Sequence, residues 1–357
     1  MKRHIKRVIT VVLLMFVLVQ LTACGSAAPA NDTADKTGAS DEPFTLRVYT
    51  PTNYVEFVIA DALGFFADEG IKLEYVGALG KGVTEFQLLE QGEVDAFLGG
   101  HPPGVAQARL AGIKARSVCP AMIDDPDNNH ITYIVKADSP IQTLDEAIGK
   151  KVSIASFSPC TSGYIQYYLK SQGLDQNGAE LVVMADIDAT QALDQGLIDI
   201  VASHPPYAGL AVQKGVARKI SSSWDLFHSA GAGLAVRGFT DDFIAKHPDV
   251  VQGFVNAEYR ARVWVNAHPD ETKGILGDFM GLDPQDLSIF VFDERKNIAA
   301  ADIDQWFTIA EEIELWQPGE IEPQDVYTND FVPADIPASD ADLHWGGPGS
   351  VTYNKRK

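Results

Sequence analysis

The chain has 357 residues, 46% of them hydrophobic and 22% charged, with 28 Lys and Arg against 49 Asp and Glu, a formal charge of -21. A chain this acidic repels phosphate backbones, which excludes nucleic acid as a partner, while its apolar fraction is that of an ordinary globular protein. Three cysteines are too few for a disulfide-stapled scaffold, so stability has to come from apolar cores.

Residues 1–23 read as a signal peptide: Lys2, Arg3, Lys6 and Arg7 precede an uncharged apolar run from Val8 to Leu21. At about fourteen residues, that run is short of the roughly twenty a membrane-spanning helix needs. Leu21-Thr22-Ala23-Cys24 follows and resembles the lipobox of bacterial lipoproteins. The resemblance implies a lipid on Cys24 and a chain held on the extracytoplasmic face of the cell membrane; the alternative is an ordinary cleavage site beside an unrelated cysteine. Loss of the signal leaves 24 basic against 49 acidic residues. Residues 24–43, rich in Ala, Asp, Thr and Ser, cannot bury a core and read as a flexible linker.

From Phe44 short apolar runs alternate with helix-like segments, the pattern of α/β units on largely parallel sheets. The first strand, Leu46–Tyr49, is followed by a helix over Val55–Phe66 and a second strand over Ile71–Val76. A helix over Val83–Gln91 stops at Gly92, and Val94–Leu98 reads as a buried strand ending near His101-Pro102-Pro103. A second copy of this unit lies downstream. Strand Val152–Ala155, a Ser/Thr-rich turn, a helix over Gly163–Lys170 and strand Leu181–Val183 lead to Leu193-Asp194-Gln195-Gly196-Leu197-Ile198-Asp199, which parallels Leu89-Glu90-Gln91-Gly92-Glu93-Val94-Asp95. Each copy is followed by His-Pro-Pro, at 101–103 and 204–206. Two similar lobes are therefore expected: 44–135 as the first part of lobe 1, 136–236 as lobe 2, 237–330 returning to lobe 1 as helices, and 331–357 as a surface tail. The apolar segments Thr132–Val135 and Gly233–Val236 read as two crossover strands forming a hinge.

In open α/β sheets ligands bind beyond the C-terminal ends of the strands. That rule selects Thr50, Thr52, Asn53 and Tyr54, then Gly100 and His101, then Ser156, Ser158, Cys160, Thr161 and Ser162, and finally Asp188, His204 and Tyr207. The hydroxyl group from Ser156 to Ser162 suits an oxyanion at a helix start, or simple helix capping. His101 and His204 hold equivalent places and either face each other across a cleft or bond to backbone. Tyr49, Tyr54, Tyr164 and Tyr207 serve as walls for a flat solute or as core aromatics. Cys119 and Cys160 are left to form a disulfide, to stay free or to touch ligand. Together with His101 and His204 they match no compact metal motif, so no metal or cofactor is expected, and metal or metal-chelate binding stands as the alternative function. Neither a nucleophile elbow nor a zincin, Walker or dinucleotide motif follows a strand, so the chain does not read as an enzyme.

The runs Ala62-Leu63-Gly64-Phe65-Phe66-Ala67-Asp68-Glu69-Gly70-Ile71, Leu89 to Ala96, and Lys136-Ala137-Asp138-Ser139-Pro140-Ile141 before Gly149-Lys150-Lys151-Val152 occur in a telling order. Over roughly Phe44 to Phe331 the chain resembles the nitrate/sulfonate/taurine family of solute-binding proteins. The resemblance implies a two-lobed type II periplasmic-binding-protein fold with a two-strand hinge and a cleft between lobes. It also implies a monomer that captures a small polar or anionic solute, or a small heterocycle, and delivers it to an ABC permease and its ATPase. A sensory ligand-binding lipoprotein would share these features.

Overall fold

Twelve strands are formed among the described residues: β1 (Phe44–Val48), β2 (Ile71–Tyr75), β3 (Phe97–Gly100), β4 (Ala115–Pro120), β5 (Met122–Ile123), β6 (Thr132–Lys136), β7 (Lys151–Ile154), β8 (Glu180–Val183), β9 (Ile200–Ser203), β10 (Ala217–Ser222), β11 (Val236–Thr240) and β12 (Val291–Phe292). The computed structural model describes residues 42–51, 55–79, 83–287, 289–340, 343–348 and 350. The signal segment with Cys24, nearly all of the linker, and the candidates Thr52, Asn53 and Tyr54 lie outside these residues.

Lobe 1 is built from the parallel pair β1–β2 and the antiparallel set β3-β11-β4. The two pieces are tied where the Asp95 amide donates to the Arg47 carbonyl at 2.8 Å and the Arg47 amide donates to the Asp95 carboxylate at 2.8 Å. Lobe 2 is one sheet in the order β10-β6-β9-β7-β8. Its β7 runs parallel to β8 and β9, while β6 is antiparallel to both its neighbours, β9 and β10, so β10 runs the same way as β7, β8 and β9. The sheets are thus more mixed than the sequence pattern predicts. The reversed strands, β11 in lobe 1 and β6 in lobe 2, are those on which the chain enters a lobe after a crossing.

That also corrects the hinge. Thr132–Val135 lies inside the lobe 2 sheet and Val236 inside the lobe 1 sheet, so the chain crosses in the preceding segments, Met122–Ile131 and Ser223–Ala235. These two crossings run side by side: Ala121 N donates to Ala235 O at 2.8 Å, Asp124 N to Ala230 O at 2.9 Å, and Ser223 N to Ile131 O at 2.9 Å.

Two predicted helices also differ. Val55–Phe66 is broken into Val55–Ala62 and Phe65–Asp68, because Gly64 takes the left-handed conformation that few other residues adopt. The helix predicted from Gly163 starts at Tyr164 and runs to Ser171, behind a π-turn over Pro159–Gly163. The long helix Pro248–Ala267 packs Val251, Phe254, Val255 and Trp264 into lobe 1, each worth about 1.5–3 kcal/mol of apolar burial. Its Glu258 meets the fully buried Arg237 of β11, which also pairs Glu56. The tail is anchored on this helix by Arg260 with Asp340 at 2.6 Å and by Trp264 Nε1 donating to Leu343 O at 2.9 Å. Among the described residues no helix is long and apolar enough to cross a membrane.

Candidate functional site

The doubled sequence unit becomes a doubled structural one. Helices Glu85–Glu90 and Asp186–Asp194 both end at a glycine with positive φ, Gly92 at 68° and Gly196 at 70°, where the missing Cβ lets the chain turn into β3 and β9. Both strands stop one residue short of a histidine. His101 caps helix Pro102–Leu110, with Pro102 at the first helical position, where a missing N–H costs nothing. His204 precedes a cis Pro205–Pro206 bond, and helix Tyr207–Gln213 follows.

The two histidines do not meet directly, because His130 of the first crossing stands between them. Its ring lies 4.8 Å from that of His101 and 5.1 Å from that of His204, edge-on to both. Cys160 completes the group, its Sγ 3.9 Å from His204 Nε2. One ligand atom from each of His101, His130 and Cys160 lies within 4.8 Å of the others. All four side chains are buried, with 7%, 1%, 3% and 9% exposure for His101, His130, Cys160 and His204.

Neighbouring groups orient these rings. His101 Nδ1 is 2.7 Å from Leu234 O, and since a carbonyl only accepts, Nδ1 carries a hydrogen. His204 Nδ1 is held in the same way by Asp186 Oδ2 at 2.9 Å. Trp306, from helix Ala300–Glu312, stacks on His101 at 4.9 Å and on Tyr164 at 5.1 Å while its Nε1 donates to Gly231 O at 2.9 Å. The backbone amide of His130 donates to Asp124, while its ring nitrogens find no partner other than the Cys160 sulfur. Burial opposes charge on His204, yet Asp186 and Cys160 raise it to about 10. Burial also opposes ionisation of Cys160, but the charge of His101 and contacts with the imidazoles hold the thiol well below its usual range. Burial pushes His130 down to about 4. The chemistry on offer is a thiolate beside three imidazole rings, the His204 ring held in its protonated form.

The predicted hydroxyl cluster serves a different purpose. Thr161 Oγ1 donates to Ser156 O at 2.6 Å and Ser162 Oγ to Ser158 O at 3.0 Å, while Ser158 Oγ lies 2.8 Å from Thr161 Oγ1 and 3.4 Å from Cys160 Sγ. Thr161 and Ser162 are thus used within their own turn, stiffening the loop that presents Cys160; Ser156 and Ser158 line the cavity. Gly100 turns out to pack against Phe97 and Phe86 of lobe 1, and Gly99 lines the cavity in its place. Asp188 is exposed and lines neither cavity; Asp186, two residues earlier on the same helix, is the acid that reaches the site. Cys119 and Cys160 are both free. Cys119 lies within lobe 1 beside the Glu258 and Arg237 charges, where burial pushes its thiol up to about 12. Tyr164 is a core residue bonded to Ala232 O, and Tyr49 is likewise buried in lobe 1.

Two adjoining cavities occupy the cleft. The inner one, about 490 Å³, is lined by His101 and Gly99 from lobe 1 and by Ser156, Ser158, Cys160, Asp186, His204 and Tyr207 from lobe 2. It shares Ile187 and Tyr207 with an outer cavity of about 540 Å³, whose walls are mainly apolar: Leu210, Val216, Phe279, Met280 and Leu282, with Thr50 and Pro51 at its side.

Two lobes on mixed sheets, joined by paired crossings and with a cleft at the strand ends, define the periplasmic-binding-protein class. The aliphatic sulphonate binding protein SsuA of Escherichia coli superposes with a TM-score of 0.59 at 19% identity, over 79% of this chain and 94% of SsuA. The nitrate-binding protein NrtA of Synechocystis does so with a TM-score of 0.61 at 16% identity, over 81% and 87%. In sequence, riboflavin-binding protein RibY of Chloroflexus aurantiacus is 24% identical over 278 residues, 74% of this chain and 76% of RibY. Residues 51–272 match the NMT1/THI5-like family profile, and the chain belongs to that family.

Proposed function

We propose that this chain is the extracytoplasmic solute-binding component of an ABC importer, tethered by a lipid on Cys24, and that it captures a small polar solute rather than transforming it. One observation carries the reading: a polar chamber of about 490 Å³ lies at the strand ends and is lined by residues of both lobes. The RibY, SsuA and NrtA names point to the same role with different solutes. Among the described residues no Arg or Lys lines the inner chamber, so from these a bare sulfonate or nitrate would meet only imidazoles, hydroxyls and backbone. The adjoining apolar cavity favours a solute that presents a polar end to the histidines and a less polar remainder to Phe279 and Met280.

Native and intact-mass spectrometry of the protein purified from membranes tests both parts. The expected spectrum shows an N-terminus at lipid-modified Cys24 and one co-purified solute released on unfolding. An unprocessed N-terminus would sink the anchor, and failure of any small molecule from a growth-medium extract to bind would sink the capture role.

A further inference from the structure

The inner chamber ends on a set of groups that a purely organic solute does not require. His101 and His204 each have Nδ1 committed, to Leu234 O at 2.7 Å and to Asp186 at 2.9 Å, which leaves Nε2 of each as the nitrogen a metal would take on displacing its proton. A carbonyl or carboxylate behind an imidazole is how proteins orient a histidine that ligates metal. Between them His130, 1% exposed, has no partner for its two ring nitrogens other than the Cys160 sulfur. A buried imidazole with no partner costs roughly 1–3 kcal/mol per orphaned group unless something else satisfies it. Cys160 contributes sulfur from the facing lobe, 3.9 Å from His204 Nε2.

We infer that His101, His130, Cys160 and His204 form a binding site for one borderline-to-soft transition-metal ion of the Zn²⁺ or Cu⁺ class, held between the two lobes. One thiolate and three imidazoles are a donor set such ions prefer over Mg²⁺ or Ca²⁺, which take oxygen. Metal–nitrogen and metal–sulfur bonds of about 2.0–2.3 Å at tetrahedral angles place ligand atoms about 3.3–3.8 Å apart. Here the atoms of His101, His130 and Cys160 lie within 4.8 Å of one another, so a contraction of about an ångström brings these three to ligand distance, with His204 Nε2, 3.9 Å from the sulfur, to join them as the fourth. His101 comes from lobe 1, Cys160 and His204 from lobe 2, and His130 from the crossing between them, so that contraction draws the lobes together. The inference deepens the capture reading of this same cleft by naming the metal as the solute or as the part of it that is gripped.

Cobalt(II) is the probe, because thiolate ligation gives it an intense near-ultraviolet charge-transfer band and tetrahedral geometry gives intense visible bands. Wild-type protein, stripped with chelator, is expected to bind one Co²⁺ with both features and to release it to Zn²⁺. Cys160→Ser should lose the charge-transfer band, and His130→Gln and Asp186→Asn should each weaken binding at least tenfold, with thermal melts of the metal-free variants showing that they fold. Absence of the bands in wild type, or their survival in Cys160→Ser, would overturn the site. So would rapid alkylation of Cys160 by iodoacetamide that depends on His204 but is unaffected by saturating Zn²⁺, which would make the thiolate a nucleophile instead. A co-purified organic solute that binds Cys160→Ser as tightly as wild type would sink the metal reading while leaving the capture reading standing.

Discussion

At the scale of single residues, the protein tolerates buried charge where a partner is near and is strained where it is not. Asp61, on helix Val55–Ala62, accepts a hydrogen bond from the Tyr75 hydroxyl at 3.0 Å, and burial raises its carboxyl from 3.8 to about 6 despite that bond. Between those values the folded chain binds a proton that the unfolded chain has released. Stability must therefore fall as pH rises through this window, by an amount on the order of 1–3 kcal/mol, and stay lower above it. Asp61→Asn keeps an acceptor for Tyr75 and removes the ionisation, so it should be more stable than wild type at pH 7 and nearly equal to it at pH 4. Urea unfolding at the two values checks this; the same gap at both would mean that Asp61 is already hydrated when ionised.

Among the elements, glycine takes two distinct roles that a denaturation series can separate. Gly196 ends helix Asp186–Asp194 at a φ of 70°, and a Cβ built there meets nothing within 4 Å. Gly196→Ala should cost only the left-handed backbone penalty, about 1–2 kcal/mol, and leave the site in place. Gly238 sits in β11 with its would-be Cβ 2.0 Å from the Arg116 carbonyl oxygen of β4. No rotamer relieves a clash with neighbouring backbone, so Gly238→Ala should separate two central strands of lobe 1 and cost more than about 4 kcal/mol. Comparable urea midpoints for the two variants would show that the β4–β11 pairing adapts more easily than its geometry implies. The repeat that holds Gly92 and Gly196 was legible in the sequence because each copy ends a helix and starts a strand with the same residue types. The break at Gly64 was not, since Val55–Phe66 keeps its apolar spacing through the break.

For the whole molecule, the paired crossings predict how the protein moves. Met122–Ile131 and Ser223–Ala235 are hydrogen-bonded side by side, which permits the lobes to swing about them without breaking either sheet. Phe157 and Ile187, beside the cleft residues of lobe 2, are 72% and 64% exposed, apolar surface that closure over a solute would cover. Small-angle scattering should therefore give a smaller radius of gyration with the captured solute than after its removal. An unchanged profile at saturation would rule out closure by lobe movement. The α/β class, the doubled unit and the equivalent places of His101 and His204 at the ends of β3 and β9 were determined by the sequence alone, because apolar periodicity, helix-ending glycines and His-Pro-Pro are local signals. His130, Asp186 and Trp306 were decided by the tertiary structure. Nothing near them in sequence distinguishes His130 from any loop histidine or Asp186 from Asp188, and Trp306 follows the cleft loops by about a hundred residues. Only tertiary packing brings His130 beside Cys160, Asp186 to His204 and Trp306 onto His101, since that convergence depends on contacts far apart along the chain.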